Sequence, residues 1–500
     1  MAFRIINILL ASFLALALIL VIRTLVFTLN RKVEDPCLST DEDFITADSS
    51  ALERFSQALR YRTVAWGPGD YNRTELLKFK EFILREFSYV FHHPLVTFEV
   101  INNYSLLIQV HGSNSTLRPY MIASHLDVVP APGSWDVPPF DGRVKDGYIW
   151  GRGTLDVKNG VMASLEAVQA LLKLGQKPKR SFYLAYGHDE EVQGADGARN
   201  IGMLLKARNI KLEFIVDEGM VIVKNVFPGL TTPYAIIGVA EKGYMMVELS
   251  VHTSGGHASM PPKESSIGIL SKAIARLESC PCPAHLSGQV RSFFEELAPK
   301  VSFPIRIILA NIWLFKFLLI SVLGETPSTN SMIRTTTAVT MFKAGVKGNV
   351  IAPDATATVN HRVHPENTIG EVVEHDRKCI GDNRVHLRVT ASQDPSPVSS
   401  WDSHAIGYQA IAQSVRQVFP GVGVAPGLMI ANTDTKHYLH LTDAVYRFMP
   451  SLLEPSDLKR IHGVNERIGV KNYEQTINYY YHLIRNTDLV HSRDRLKSEL

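Results

Sequence analysis

YMIASHLDVVPAPG (residues 120–133) runs from an apolar stretch into a polar turn, and the turn opens on His125 and Asp127. The same transition recurs in GYIWGRGTLDVKNG (147–160), RSFYLAYGHDEEVQG (180–194) and LEFIVDEG (212–219), which deliver Asp156, the Glu190–Glu191 pair and Asp217. Apolar runs that stop at glycine and acidic residues predict strands followed by turns. In an open α/β sheet the carboxyl ends of strands share one crevice, so these side chains are expected to meet there. His462, far downstream in RIHGVNERI (460–468), is expected to join them.

Imidazoles and carboxylates with no thiolate nearby suit zinc better than calcium or an iron–sulfur centre. His125 is a candidate ligand. Asp127, two residues along an extended stretch, projects to the same side and can accept the proton of the second ring nitrogen. Asp156 is a candidate bridge between two ions. Glu190 and Glu191 point to opposite sides if extended, so one can bind metal while the other works as a base. Asp217 and His462 would complete the two coordination shells. Singly, an HxD or a DEG is most often a turn or a cap. Four strand-to-turn transitions in succession, each ending in a ligand-type side chain, carry the metal reading.

SHLDVVPAPGSWDVPPF, GRGTLDVKNGVMA, GHDEEVQGADGA, IVDEG, SGGHASMPP and RIHGVNERI together resemble the aminoacylase and carboxypeptidase S group of dinuclear-zinc metallohydrolases, over about residues 45–487. The resemblance implies that His125 and Asp217 bind one zinc, Glu191 and His462 the other, and that Asp156 bridges them. It makes Glu190 the general base and Asp127 the partner of His125. It further implies that His257 reaches the active site of a neighbouring subunit to stabilise the oxyanion, and that Asn349 and Arg362 hold the substrate's carboxylate, which a guanidinium fork grips well. The implied reaction is hydrolysis and reversible synthesis of N-fatty-acyl amino acids from free fatty acids and amino acids, in a homodimer. Two departures stand out. Val157 follows Asp156 where relatives carry an acid or another polar residue, and Thr435-Lys436 replaces the usual Ser-Arg, which puts a substrate-binding role for Lys436 in doubt.

The fold expected is α/β: a zinc-peptidase-like catalytic domain with a mostly parallel sheet, plus an inserted α+β lid and dimerisation domain. A chain of 500 residues exceeds one core. Helical ALERFSQALRYRT (51–63) and GVMASLEAVQALLKL (160–174) alternate with buried strands in residues 46–241, the first part of the catalytic domain. Gly160 is expected to open its helix and aim the positive end at the ligands. Residues 242–395 form the insertion, where GYMMVELSVHT (243–253) and ATATVNHRVH (355–364) alternate apolar and polar residues around helical SIGILSKAIARLES (266–279). Residues 396–490 return to the catalytic domain, and 491–500 form a tail.

Residues 1–29 carry an apolar run from Ile5 to Ile22, broken by Asn7 and Ser12 and closed by Arg23. Such a segment enters the secretory pathway, as a signal peptide or as a retained signal anchor. Resemblance favours a secreted enzyme, with a membrane-anchored luminal one as the alternative. Residues 30–45 read as a polar linker. Sequons at Asn72, Asn103 and Asn114 agree with that compartment. Four cysteines are too few for a disulfide-built scaffold, and Cys280 and Cys282 read as structural thiols. A second apolar run, PIRIILANIWLFKFLLISVL (304–323), lies within the insertion. It reads as a buried or amphipathic helix, or as a wall for an acyl chain or a lipid or lipoprotein surface. Net charge is only +3 with no basic run among aromatics, so nucleic acid is not expected as a partner. Rival functions are a luminal carboxypeptidase on dipeptides, a short-chain aminoacylase, and a metal-binding protein without turnover. The base Glu190 argues against the last.

Overall fold

The computed structural model describes residues 2–30, 45, 49–225, 229–230, 232–286 and 288–498. The expected linker at 30–45 therefore lies, its two end residues apart, outside the described residues. Helix α1 is Ala2–Asn30. The chain then lays down β1 (Val96–Ile101), β2 (Ser105–Val110), β3 (Tyr120–His125), helix α2 (Lys158–Lys173), β4 (Phe182–Gly187), helix α3 (Ala198–Ala207), β5 (Ile215–Val223) and β6 (Tyr234–Glu241). A second unit follows with β7 (Gly243–His252), β8 (Gly256–His257), α4 (Ser266–Glu278), α5 (Gly288–Leu297), α6 (Phe303–Ala310), α7 (Ile312–Gly324), β9 (Thr336–Ala344), β10 (Val350–Ile351), β11 (Asp354–Val363), α8 (Ile369–Ile380) and β12 (His386–Gln393). The chain closes with α9 (Ile406–Val418), β13 (Gly423–Met429), β14 (Val445–Leu453) and α10 (Val470–Ser498), which runs on through most of the expected tail.

The large sheet has the order β13-β6-β14-β5-β3-β4-β2-β1. Its centre is parallel, β14 to β5 to β3 to β4, and so is the β6–β13 edge. β2 and β1 add an antiparallel flank, and β6 meets β14 antiparallel. Every side chain of β3 and β4 is buried, as expected of strands covered on both faces. Helices α2, α9 and α10 pack together as a cover. Gly160 lies in the first turn of α2, two residues inside the helix start at Lys158 and not at its opening. A Cβ at Gly160 would come within 2.8 Å of both Met449 Cε and Ser124 Oγ, so this position lets the helix approach the sheet.

The second sheet has the order β9-β11-β7-β12, antiparallel throughout. β7 and β11 alternate buried and half-buried residues along most of their length. Their inner side chains, Met245, Val247, Leu249 and Val359 among them, pack with α4 and α8 into a core of their own. A buried Leu or Ile here is worth about 2–5 kcal/mol against alanine.

Two expectations change. Residues 304–323 do not belong to this smaller core: Leu309, Ile312, Leu319 and Leu323 pack with the large core, and α5 packs on β13. Sequence order placed them in the insertion, but the chain folds back across the larger sheet between α4 and β9. Cys280 is no thiol either. It forms a disulfide with Cys379 across a sequence separation of 99, with Cα atoms 6.0 Å apart, while Cys282 stays a buried thiol. The pair forms because α8 lays Cys379 beside the segment that follows α4, a proximity no spacing announces.

Candidate active site

His125 ends β3, and its ring is held from below by Asp127. Nδ1 lies 3.0 Å from the Asp127 carbonyl oxygen and 3.3 Å from Oδ1. The Asp127 carboxylate also holds the acid pair, since Oδ1 accepts the Glu190 backbone N–H and Oδ2 that of Glu191, each at 3.1 Å. One aspartate thus fixes both the imidazole and the two glutamates. The pair is not extended as the sequence suggests; Glu190–Val192 is a single 3-10 turn after β4. The turn puts both acids on the wall of one cavity.

On the opposite ring atom, His125 Nε2 lies 3.1 Å from Asp156 Oδ1 and 3.3 Å from Glu218 Oε1. Asp156 Oδ2 lies 2.9 Å from His462 Nε2, which is also 3.3 Å from Glu191 Oε2. Two ligand-spaced groups result: His125, Asp156 and Glu191, and His125, Glu190 and Glu218. Asp217 joins neither group. Its Oδ1 accepts the Glu218 backbone N–H at 2.9 Å, and its register partner on β14 is Arg447. Neighbours on a strand face opposite sides: Glu218 is aimed at His125, and Asp217 keeps Oδ2 buried with no hydrogen-bond partner among the described residues.

Asp156 does not end a strand of the large sheet. Tyr148–Trp150 is a short strand paired antiparallel with Arg467–Gly469. The loop after it is fastened by the buried Arg152–Glu466 ion pair at 2.6 Å. Glu466 Oε1 accepts backbone N–H groups of Gly153, Leu155 and Asp156, at 3.1, 2.7 and 3.3 Å. Arg152 Nη2 donates to the Gly463 carbonyl at 3.0 Å, beside His462. One ion pair therefore aligns the Asp156 and His462 loops. His462 itself sits at φ +58°, a left-handed conformation that non-glycine residues rarely adopt. Arg152 and Glu466 were missed in the sequence, although Glu466 lies four residues beyond His462 in the HGVNE run.

Electrostatics agree with a cation site. Burial, then Asp156, pushes Glu218 up to about 8, and burial, then Glu218, raises Glu190 well above the carboxylate range. Burial and Asp156 also raise Glu191. Bonds to Asp156 and Glu191 lift His462 to about 10. Carboxylates outnumber imidazoles here, and buried like charges hold one another protonated until positive charge is supplied. Glu191 Oε1 is buried with no hydrogen-bond partner among the described residues, as an oxygen reserved for a metal would be. The donor set of imidazole and carboxylate fits zinc.

Arg362, near the end of β11, lines the same cavity of about 510 Å³, with its guanidinium hydrogen-bonded to Asn432 Oδ1 and 5.4 Å over the Tyr244 ring. Asn432 donates in turn to Glu241 Oε1 and the Lys242 carbonyl, at 3.1 and 3.0 Å, so the fork is braced from both sheets. Lys436 also lines the cavity and reaches Gln193 Oε1 at 3.1 Å. Val221, Leu453, Leu458 and Ile461 supply an apolar side. His257 and Asn349 do not line this cavity. They sit exposed together where β8 pairs with β10, and the Asn349 carbonyl accepts the Ala258 N–H at 3.2 Å. His257 Nδ1 is engaged by Ser259 Oγ at 2.7 Å.

The sequence matches peptidase family M20/M25/M40 over residues 121–486. It is 46% identical over 439 residues to the N-fatty-acyl-amino acid synthase/hydrolase of Xenopus tropicalis, covering 87% of this chain and 86% of that one. It is 42% identical over 499 residues to a probable carboxypeptidase S-like protein of Dictyostelium discoideum, covering 97% and 95%. In structure it is similar to an M20 family metallo-carboxypeptidase from Sulfolobus solfataricus, with a TM-score of 0.65 at 18% identity, covering 89% of this chain and all of that one.

Proposed function

This chain belongs to peptidase family M20/M25/M40, and from that premise we propose that it hydrolyses, and in the reverse direction forms, the amide bond of N-fatty-acyl amino acids at a site holding two zinc ions. The observation that carries the proposal is the meeting of His125, Asp156, Glu191, Glu218 and His462 around Glu190, on a cavity that also contains Arg362 and an apolar side. The ligand set we infer is His125 and Glu218 for one ion, Glu191 and His462 for the other, with Asp156 between them. Zinc bound there supplies Lewis acidity toward the amide carbonyl and acidifies water at the site.

The protein's own groups do the rest. Arg362 grips the amino acid's carboxylate with its fork, and the apolar side receives the acyl chain. Glu190 takes the proton from the attacking water as its oxygen bonds to the acyl carbon. When the C–N bond breaks, the same carboxyl returns that proton to the departing amine. His257 serves as an oxyanion donor in the neighbouring subunit of a homodimer, with Asn349 beside it to help hold the carboxylate. In support, both lie outside the cavity of their own chain, and with Nδ1 engaged by Ser259, Nε2 remains to donate. Residues 46–241 and 396–490 act as the catalytic unit and 242–395 as the lid and dimerisation unit, save helices α5 to α7, which pack with the large core. Condensation passes the same transition state in reverse, so concentrations set the net direction.

The test is a panel of purified enzyme with N-oleoyl-phenylalanine, N-acetyl-phenylalanine and a dipeptide, read by mass spectrometry with and without chelator, beside a zinc determination. The fatty-acyl substrate is expected to turn over fastest, chelator to abolish all turnover, and zinc to reach two per chain. Faster dipeptide cleavage would make it a carboxypeptidase, and one zinc per chain would remove Asp156 as a bridge.

A further inference from the structure

The N-terminal helix and an apolar helix pair from the middle of the chain meet at a buried polar contact. Thr24 of α1 and Asn311, which stands between α6 and α7, are both wholly buried, at 0% exposure. Asn311 Nδ2 donates to Thr24 Oγ1 at 3.1 Å and to the Ile307 carbonyl at 2.8 Å. One residue earlier, the Arg23 guanidinium lies 5.8 Å over the Trp313 ring. Further along α1, Phe27 packs against the large core. A leader destined for removal has no need of a fitted seat on the folded enzyme. Here the seat includes a buried amide that would keep the Ile307 carbonyl but lose its acceptor on α1 with the leader.

The surfaces that continue from this contact are apolar and uncovered. α1 exposes its large side chains from Phe3 to Leu29, and it is long and apolar enough to cross a membrane. α7 buries Ile312, Leu319 and Leu323 on its inner side, yet its outer side presents Trp313, Leu314, Phe317 and Leu318 around one lysine, Lys316, with Phe317 83% exposed. A helix on a water-facing surface carries polar residues there. None of residues 304–323 is among the residues lining the catalytic cavity. α6 and α7 are bent by 111° at Asn311.

Dimensions identify the occupant. Ile5–Ile22 rises roughly 27 Å as a helix, against a hydrocarbon core about 30 Å thick. Arg23 and Trp313 follow directly, and an arginine with a tryptophan is an interfacial pair. α7 rises only about 20 Å, too short to cross alone but suited to lie in the interface. We propose that α1 remains part of the mature enzyme and that α1 and α7 together seat the protein in a lipid bilayer, α1 spanning it and α7 lying along its surface. This holds independently of which amide the enzyme cleaves.

The full chain, tagged at its C-terminus and made in eukaryotic cells, tests both halves. Mass spectrometry of the mature chain is expected to recover peptides from residues 5–22, with the enzyme in the carbonate-washed membrane pellet. A mature N-terminus beyond residue 29, with enzyme in the medium, would overturn the role of α1. Reconstituted in phosphatidylcholine vesicles with brominated acyl chains, the full chain should lose tryptophan fluorescence, and Trp313→Phe should remove most of that quenching. A protease site placed between residues 31 and 44 then allows α1 to be cut off. The cut parent should stay on vesicles, while a Phe317→Glu/Leu318→Glu variant, folded by the criterion of unchanged hydrolysis of a water-soluble N-acetyl substrate, should be released at least 10-fold more. Absence of bromine quenching, or equal release, would overturn the role of α7. So would a dimer cross-linked through Phe317 in place of lipid contact.

Discussion

β3 of the large sheet is buried at all six positions, whereas β7 of the smaller sheet alternates buried and half-buried side chains along most of its length. A strand covered on both faces has no room for a polar side chain until it ends. Its chemistry therefore collects at the terminus, as at His125, where neighbouring strands bring more of the same. A strand with one open face carries polar groups anywhere along it. Arg362 accordingly leaves β11 for the cavity of its own chain, while His257 and Asn349 sit together on the separate β8–β10 pair and do not line that cavity. The large sheet concentrates a site, and the smaller one brings Arg362 to its cavity.

The strongest way to break this contrast is at Glu190. Glu190→Gln is expected to keep zinc and to lower kcat by about 10³-fold or more, since proton transfer by a positioned side chain is worth up to about 10⁴. Activity that survives would move the acid–base role elsewhere. Next comes the strand pair Asp217–Glu218. Glu218→Gln should weaken zinc binding by more than about 100-fold, beyond the range typical of residues that only support a ligand. Asp217→Asn should leave stoichiometry intact, and the opposite result, read by metal analysis after dialysis, would restore Asp217 as the ligand.

The second unit is probed through His257. His257→Ala should cost about 10²-fold in kcat, the scale of a lost oxyanion donor. Mixed with Glu190→Gln chains it should recover part of the activity, because one site of the mixed dimer then has both groups. No recovery would confine His257 to its own chain.

The smallest effect concerns stability. Burial, then His285, holds His364 neutral, down at about 3, against an ordinary value near 6.5. The unfolded chain takes up this proton first as pH falls below 6.5, so the native state loses stability from 6.5 toward 3. At pH 5 the loss is about 2 kcal/mol. Urea unfolding at pH 7 and pH 5 should show it, and His364→Phe should remove it; an unchanged difference would place the pH sensitivity elsewhere.

Much of the site was legible because it obeys local rules. His125, Asp127, Asp156, Glu190 and Glu191 stand where apolar runs end in turns, His462 enters through the resemblance of RIHGVNERI, and all six meet in the structure. What the sequence leaves open shares one cause. Between Asp217 and Glu218, the choice depends on the phase of β5 relative to its neighbours, and period-two alternation gives the difference between adjacent residues but not its sign. Arg152 and Glu466 look like ordinary surface charges until the chain brings the 151–156 and 460–466 loops together. The Asn311–Thr24 bond joins residues 287 positions apart.

From its order of residues alone, this protein determined its α/β class, the alternation that sets its two sheets apart, and the chemical kinds gathered for a metal, because strand period, turn chemistry and ligand type are properties of short segments. Only tertiary structure decided which of two adjacent acids faces the cavity, which ion pair aligns the loops, where residues 304–323 pack and which cysteines join. Each of those depends on distances between segments far apart in the chain, and such distances exist only once the whole polypeptide has folded.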